Sequence, residues 1–168
     1  MKCWLLIVSL TFLFACKKEN DKGDGDGIKE EDKQKAAAFS SLIQKHSYKL
    51  TKYYSKTPID YDNTDDVVKQ ETDLWPYVSA WLFDDAYIFK PDNNVDVEQN
   101  AEKIPTDDAD VIHVRWSVAA DTKGVRFNFV GHEYQYLVYY LESFDDNKLI
   151  VWAKWNENDV YSEFTAVD

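Results

Sequence analysis

The sequence predicts a mainly β domain, an eight-stranded antiparallel up-and-down barrel preceded by a short N-terminal helix. Three observations carry this expectation. The apolar period changes from helical to two-residue near residue 46. The segments that follow are rich in valine, phenylalanine, tyrosine and tryptophan and are bounded by turn residues. The last five are joined by only a few residues each, and short links join antiparallel neighbours because a parallel pairing needs a long crossover. A meander of this kind removes its exposed edges by closing on itself.

At the N-terminus, Lys2 precedes an apolar stretch over residues 4–15 that is interrupted only by Ser9 and Thr11. A spanning helix needs about 20 apolar residues, so the stretch reads as an export signal, residues 1–15. It runs into Leu13-Phe14-Ala15-Cys16, which resembles the bacterial lipobox and implies lipidation of Cys16. Two or three acyl chains at about 0.8 kcal/mol per buried methylene then hold a protein to a membrane. The implied address is the bacterial outer membrane, lipid-anchored, on its periplasmic face or at the cell surface. Cys3 leaves with the signal and Cys16 is consumed by lipid, so no thiol remains for disulfides, catalysis or metal binding.

Residues 16–28 form a flexible acidic tether, charged and punctuated by Gly23, Gly25 and Gly27. Their Asp-Gly run does not make a calcium loop. With Gly27 as the sixth loop residue, Lys22 and Lys33 occupy the first and twelfth positions, and with Gly25 there Lys22 takes the third. The domain proper is expected over residues 29–168. It opens with a helix over 29–46, with acidic residues near its start and a stripe of Phe39, Leu42, Ile43 and His46 that lies across one end or side of the domain.

Strands are expected near 48–54, 86–90, 94–99, 111–119, 125–130, 133–143, 148–156 and 159–167. Between 55 and 85 the sequence carries Leu74-Trp75-Pro76-Tyr77 and Trp81-Leu82-Phe83, read as a lid or short helix over the barrel. The order of lipobox, acidic spacer, helix, "YKLTKYY", "DDAYIFKPDNN", "VRWSVAADTKGVRFNF", "YQYLVYYL" and "KLIVWAKW" resembles the lipocalin-like lipoproteins abundant in Bacteroidota. On that resemblance Asp84-Asp85 match an acidic pair, Tyr87 and Phe89 the following strand, Trp116 a later tryptophan, and Leu149 and Val151 a closing pair. Tyr48 stands where that pattern has tryptophan, and Asn93-Asn94 replace its turn glycine.

Charge narrows the partners. Once Lys2 is removed from the 19 basic residues, 18 face 31 acidic ones, and such a surface repels nucleic acid. No glycine-rich phosphate loop, nucleophile constellation or metal spacing accompanies His46, His113 and His132, so neither an enzyme nor a cofactor is expected. The acidic pairs, 84–85 among them, read as solvated loop carboxylates.

Aromatic residues stand out, with 22 in residues 48–168, five of them tryptophan. Eight-stranded barrels are either filled by side chains or wide enough for one small ligand. The candidate ligand-binding residues are Trp75, Tyr77 and Trp81 at the rim, Arg115 and Arg126 alternating with apolar neighbours, and Trp116, Tyr136 and Trp152 on the strands. Two function classes follow. One is a binding module for a small apolar, amphipathic or glycan ligand. The other is a filled barrel whose aromatic outer face docks an envelope protein.

Overall fold

The structure is a computed structural model that describes residues 27–61, 70–103, 109–130 and 136–167, with the backbone alone described at Trp81, Val130, Tyr136 and Leu137. The expected signal, Cys16 and nearly all of the tether lie outside the described residues.

Helix α1 (Glu30–Leu42) is shorter than expected, ending four residues before His46. Three acidic residues occupy its first turn, where they complement the helix dipole. Nine antiparallel strands follow: β1 (Ser47–Asp60), β2 (Gln70–Asp73), β3 (Ala86–Phe89), β4 (Asn94–Glu98), β5 (Val111–Asp121), β6 (Gly124–Val130), β7 (Tyr136–Phe144), β8 (Lys148–Trp155) and β9 (Asn158–Val167). They form one sheet in the order β2-β1-β3-β4-β5-β6-β7-β8-β9, and pairing of β1 with β9 closes it into a ring.

Among the described residues nine strands stand where eight are expected. Strand β1 continues to Asp60, and its far end pairs with the polar β2 through Tyr54↔Asp73 and Ile59↔Glu71, while its first residues pair with β3. Of the described remainder of the expected lid, Trp75–Tyr77 form a 3-10 turn, where Pro76 needs no backbone donor, and Trp81–Asp84 the four-residue α2.

Alternation decides what faces inward. On β9, Val160, Ser162 and Phe164 point into the ring and Tyr161 and Glu163 away from it. The register slips between Leu50 and Lys52, so the inward set on β1 changes from Tyr48 and Leu50 to Tyr53 and Ser55. Outside the closing seam, Glu163 lies 3.2 Å from Lys52 Nζ and 3.1 Å from Lys148 Nζ, tying β9 to both neighbours. Burial by itself would raise the Glu163 carboxyl, but the two ammonium groups outweigh it and hold the group below its ordinary range.

One end of the interior is filled by α1, which packs on β5 and β6. Phe39 is buried there, its ring 5.7 Å from that of Phe127 and 5.4 Å from that of Phe144. Tyr48, Phe89, Trp116 and Val125 complete this packed end. Asn93 adopts the left-handed conformation at φ 64° in the β3–β4 turn, the conformation for which glycine is the default. The opposite end is differently built. Leu74, Ile59 and Val160 form a small second core that anchors the 3-10 turn beside the strands.

Candidate functional site

Between the two ends lies a cavity of about 360 Å³, within the range of small-molecule sites. Its walls come from the inward faces of the strands, and Tyr77, Val78, Ser79 and Leu82 border it from the segment that precedes β3. Most of the lining is apolar or aromatic, with Leu50, Val97, Val114, Phe127, Phe129 and Phe164 among it.

Polar groups are few. Tyr53 and Tyr61 share a hydrogen bond of 3.1 Å between their hydroxyls, with rings crossed at 81°. Tyr77 tilts against Tyr61 at 5.6 Å, and Trp155 does so at 5.0 Å. Burial, reinforced at Tyr53 by its bond to Tyr61, pushes the Tyr53 phenol far above its ordinary value. Burial pushes Tyr139 up to about 12, so these phenols stay neutral at physiological pH. Ser79 and Ser162 add hydroxyl groups.

Asp85 is the one carboxylate in the lining among the described residues, and it is 1 % exposed. It sits at the last position before β3, and Asp85, Tyr87 and Phe89 share one face by alternation. Its Oδ1 is buried without a hydrogen-bond partner among the described residues. Burial raises its carboxyl to about 7, Asp84 adds to the shift, and Lys49 opposes it. The neighbouring Asp84 is differently engaged, its Oδ2 accepting the Ala101 N–H at 2.8 Å and the Glu102 N–H at 3.2 Å. No lysine, arginine or histidine lines the cavity among the described residues.

Of the candidate residues expected from sequence, the cavity gathers Tyr77. Trp116 is buried in the packed end, its Nε1 donating to the Lys90 carbonyl at 3.1 Å and its ring 5.5 Å from that of Phe89. Trp75 stacks on Phe83 at 4.3 Å and borders a shallow depression between β1 and β2. Arg115 is exposed, opposite Asn94 on one side and Val130 on the other. Arg126 and Trp152 stand on the outer face, in the cross-strand row Arg126, Tyr140, Trp152, Tyr161 and Tyr54. Within that row Tyr140 stacks on Trp152 at 4.9 Å and Tyr54 on Tyr161 at 5.3 Å, and Lys56 Nζ covers the Tyr161 ring at 4.3 Å. The side chains of Trp81 and Tyr136 are outside the described part.

Sequence reasoning passed over Asp85, Tyr53, Tyr61 and Tyr139. The solvated role expected for the 84–85 pair is corrected at Asp85, whose carboxyl faces inward. Its signal was parity with Tyr87 and Phe89. A site of this composition can hold an apolar body and satisfy one polar head, with a carboxyl, neutral phenols and two serine hydroxyls as its directional groups among the described residues. No helix among the described residues is long and apolar enough to cross a membrane. No family model matches the chain, and no curated protein matches it.

Proposed function

We propose that this chain is a lipid-anchored protein of the bacterial outer membrane, tethered through Cys16, whose lipocalin-like, eight-stranded barrel binds a small amphipathic molecule without transforming it. In this reading β2 is an accessory to the eight strands from β1 and β3 through β9, whose pairings complete the circuit. The observation that carries it is the cavity of about 360 Å³, largely apolar and aromatic, lined by the buried Asp85 carboxyl whose Oδ1 has no hydrogen-bond partner among the described residues. Leaving a buried carboxyl oxygen unpaired costs about 1–3 kcal/mol or more, a cost that a ligand in the cavity would offset at Asp85. A lining that is mostly apolar or aromatic favours an amphipathic ligand over a glycan, which needs a polar group for most of its own.

The test uses pyrene, a neutral hydrocarbon whose emission reports the polarity around it. Saturable uptake at one site per chain is expected. It should be lost in Ser79→Trp, which blocks the cavity from an exposed border position and leaves the melting temperature unchanged. Absence of saturable uptake by the folded chain would overturn the binding reading. The outer row from Tyr54 to Tyr140 would then favour the second one, a structural or protein-docking component of the envelope.

A further inference from the structure

We infer that the ligand is an amphipathic amine, its ammonium paired with the Asp85 carboxylate and its apolar body lying among the aromatic walls of the interior. This rests on the binding reading above and goes beyond it in fixing the sign of the ligand's charge.

The inference begins with Asp85, a fully buried carboxyl lining a cavity with one oxygen unpartnered among the described residues. Burying a carboxylate is costly unless an opposite charge or a donor meets it. The lining supplies neither an arginine nor a lysine among the described residues, and none of its hydroxyls bonds Asp85 Oδ1, so a cation that meets the carboxylate within the cavity arrives with the ligand. An anionic amphiphile such as a fatty acid meets no cation there and would be repelled. An ammonium meets the carboxylate in a cavity that Tyr53, Tyr77, Tyr87 and Phe129 also line, and aromatic rings attract cations. The net charge of −12 draws cations toward the molecule before they reach the cavity.

The pH behaviour follows from the groups that face Asp85. Asp84 beside it disfavours its charge and Lys49 of β1 favours it, for a carboxyl that titrates near about 7. The hydroxyls of Tyr87 and Tyr139 face the same interior, and burial keeps both neutral. An ammonium binds the ionised carboxylate, so its affinity should rise as pH climbs through neutrality. A neutral alcohol has no such preference.

The experiment displaces pyrene from the full chain with phenylbutylamine, phenylbutanol and phenylbutyrate, matched in body and differing in head. At about pH 8.5 the amine is expected to bind about tenfold or more tightly than the alcohol, with the carboxylate weakest. Lowering the pH to about 5.5 should weaken the amine about tenfold and leave the alcohol unchanged. Asp85→Asn, close in shape, should remove both the amine's advantage and its pH dependence while keeping alcohol binding. Should that variant fail to fold, the wild-type pH dependence of the amine relative to the alcohol decides instead. Equal affinity of amine and alcohol with pyrene still bound would overturn the amine and leave the binding reading intact. Failure of all three compounds and of pyrene would overturn both.

Discussion

Tyr53 and Tyr61 are joined hydroxyl to hydroxyl at 3.1 Å beside the cavity, although one belongs to β1 and the other lies just past its end. Tyr61 is the hub of this border, with Tyr77 at 5.6 Å and Trp155 at 5.0 Å. Tyr61→Phe removes the bond but keeps the ring cluster, and should cost about 1 kcal/mol of stability with pyrene affinity preserved. Tyr61→Ala removes ring contacts worth about 0.5–1.5 kcal/mol each and should weaken pyrene uptake as well. Urea unfolding and pyrene titration on the two variants separate hydroxyl from ring.

Asp85 makes stability depend on pH with a defined sign. Its folded carboxyl titrates near about 7, against an unfolded value of 3.8, so the folded chain holds the extra proton in between. Stability from this group is present below about pH 4, falls as pH rises toward 7 and levels off above it. Asp85→Asn should flatten the unfolding free energy over that window. A wild-type curve that rises from pH 5 to pH 7 and is unchanged by the substitution would contradict the burial of this group.

The packed end offers a contrast between two aromatic residues. Phe39 is 1 % exposed against Phe127 and Phe144, and Phe39→Ala should cost about 3–5 kcal/mol. Tyr48 is equally buried, but its hydroxyl has no hydrogen-bond partner among the described residues. Burial pushes that phenol up to about 12, and Asp146 and Asp145 add to it. Tyr48→Phe should therefore leave stability unchanged or raise it by about 1 kcal/mol. Thermal melts of both variants check this, and a large loss in Tyr48→Phe would reveal a partner for the hydroxyl.

Attachment at Cys16 is checked in cells. Metabolic labelling with a fatty acid should mark the wild type, and Cys16→Ala should lose the label and release the domain from membranes. A variant that stays labelled and membrane-bound would refute the anchor.

Much of the strand pattern was legible because period-two alternation is a local property. Strands β3, β4, β5, β6, β8 and β9 fall within two residues of the expected segments at each end. Strand β2 was not legible, because Gln-Glu-Thr-Asp has little strand propensity of its own and is held by pairing with β1. The helix was overextended because Ile43 and His46 continue a helical stripe that the chain abandons to enter β1.

By itself the sequence determined the β-rich antiparallel class, the N-terminal helix and the aromatic supply, since composition and alternation settle these without reference to distant contacts. Tertiary structure alone decided which rings meet in the cavity. The slip between Leu50 and Lys52 turns Tyr53 inward and Tyr54 outward, the reverse of what unbroken alternation from Tyr48 gives. Ring closure then brings Tyr53 of β1 beside Ser162 of β9, more than a hundred residues away in sequence. The same closure encloses Asp85 and withdraws it from water, and that burial, assembled from distant strands, raises its carboxyl more than the charge of Asp84 beside it in the chain does.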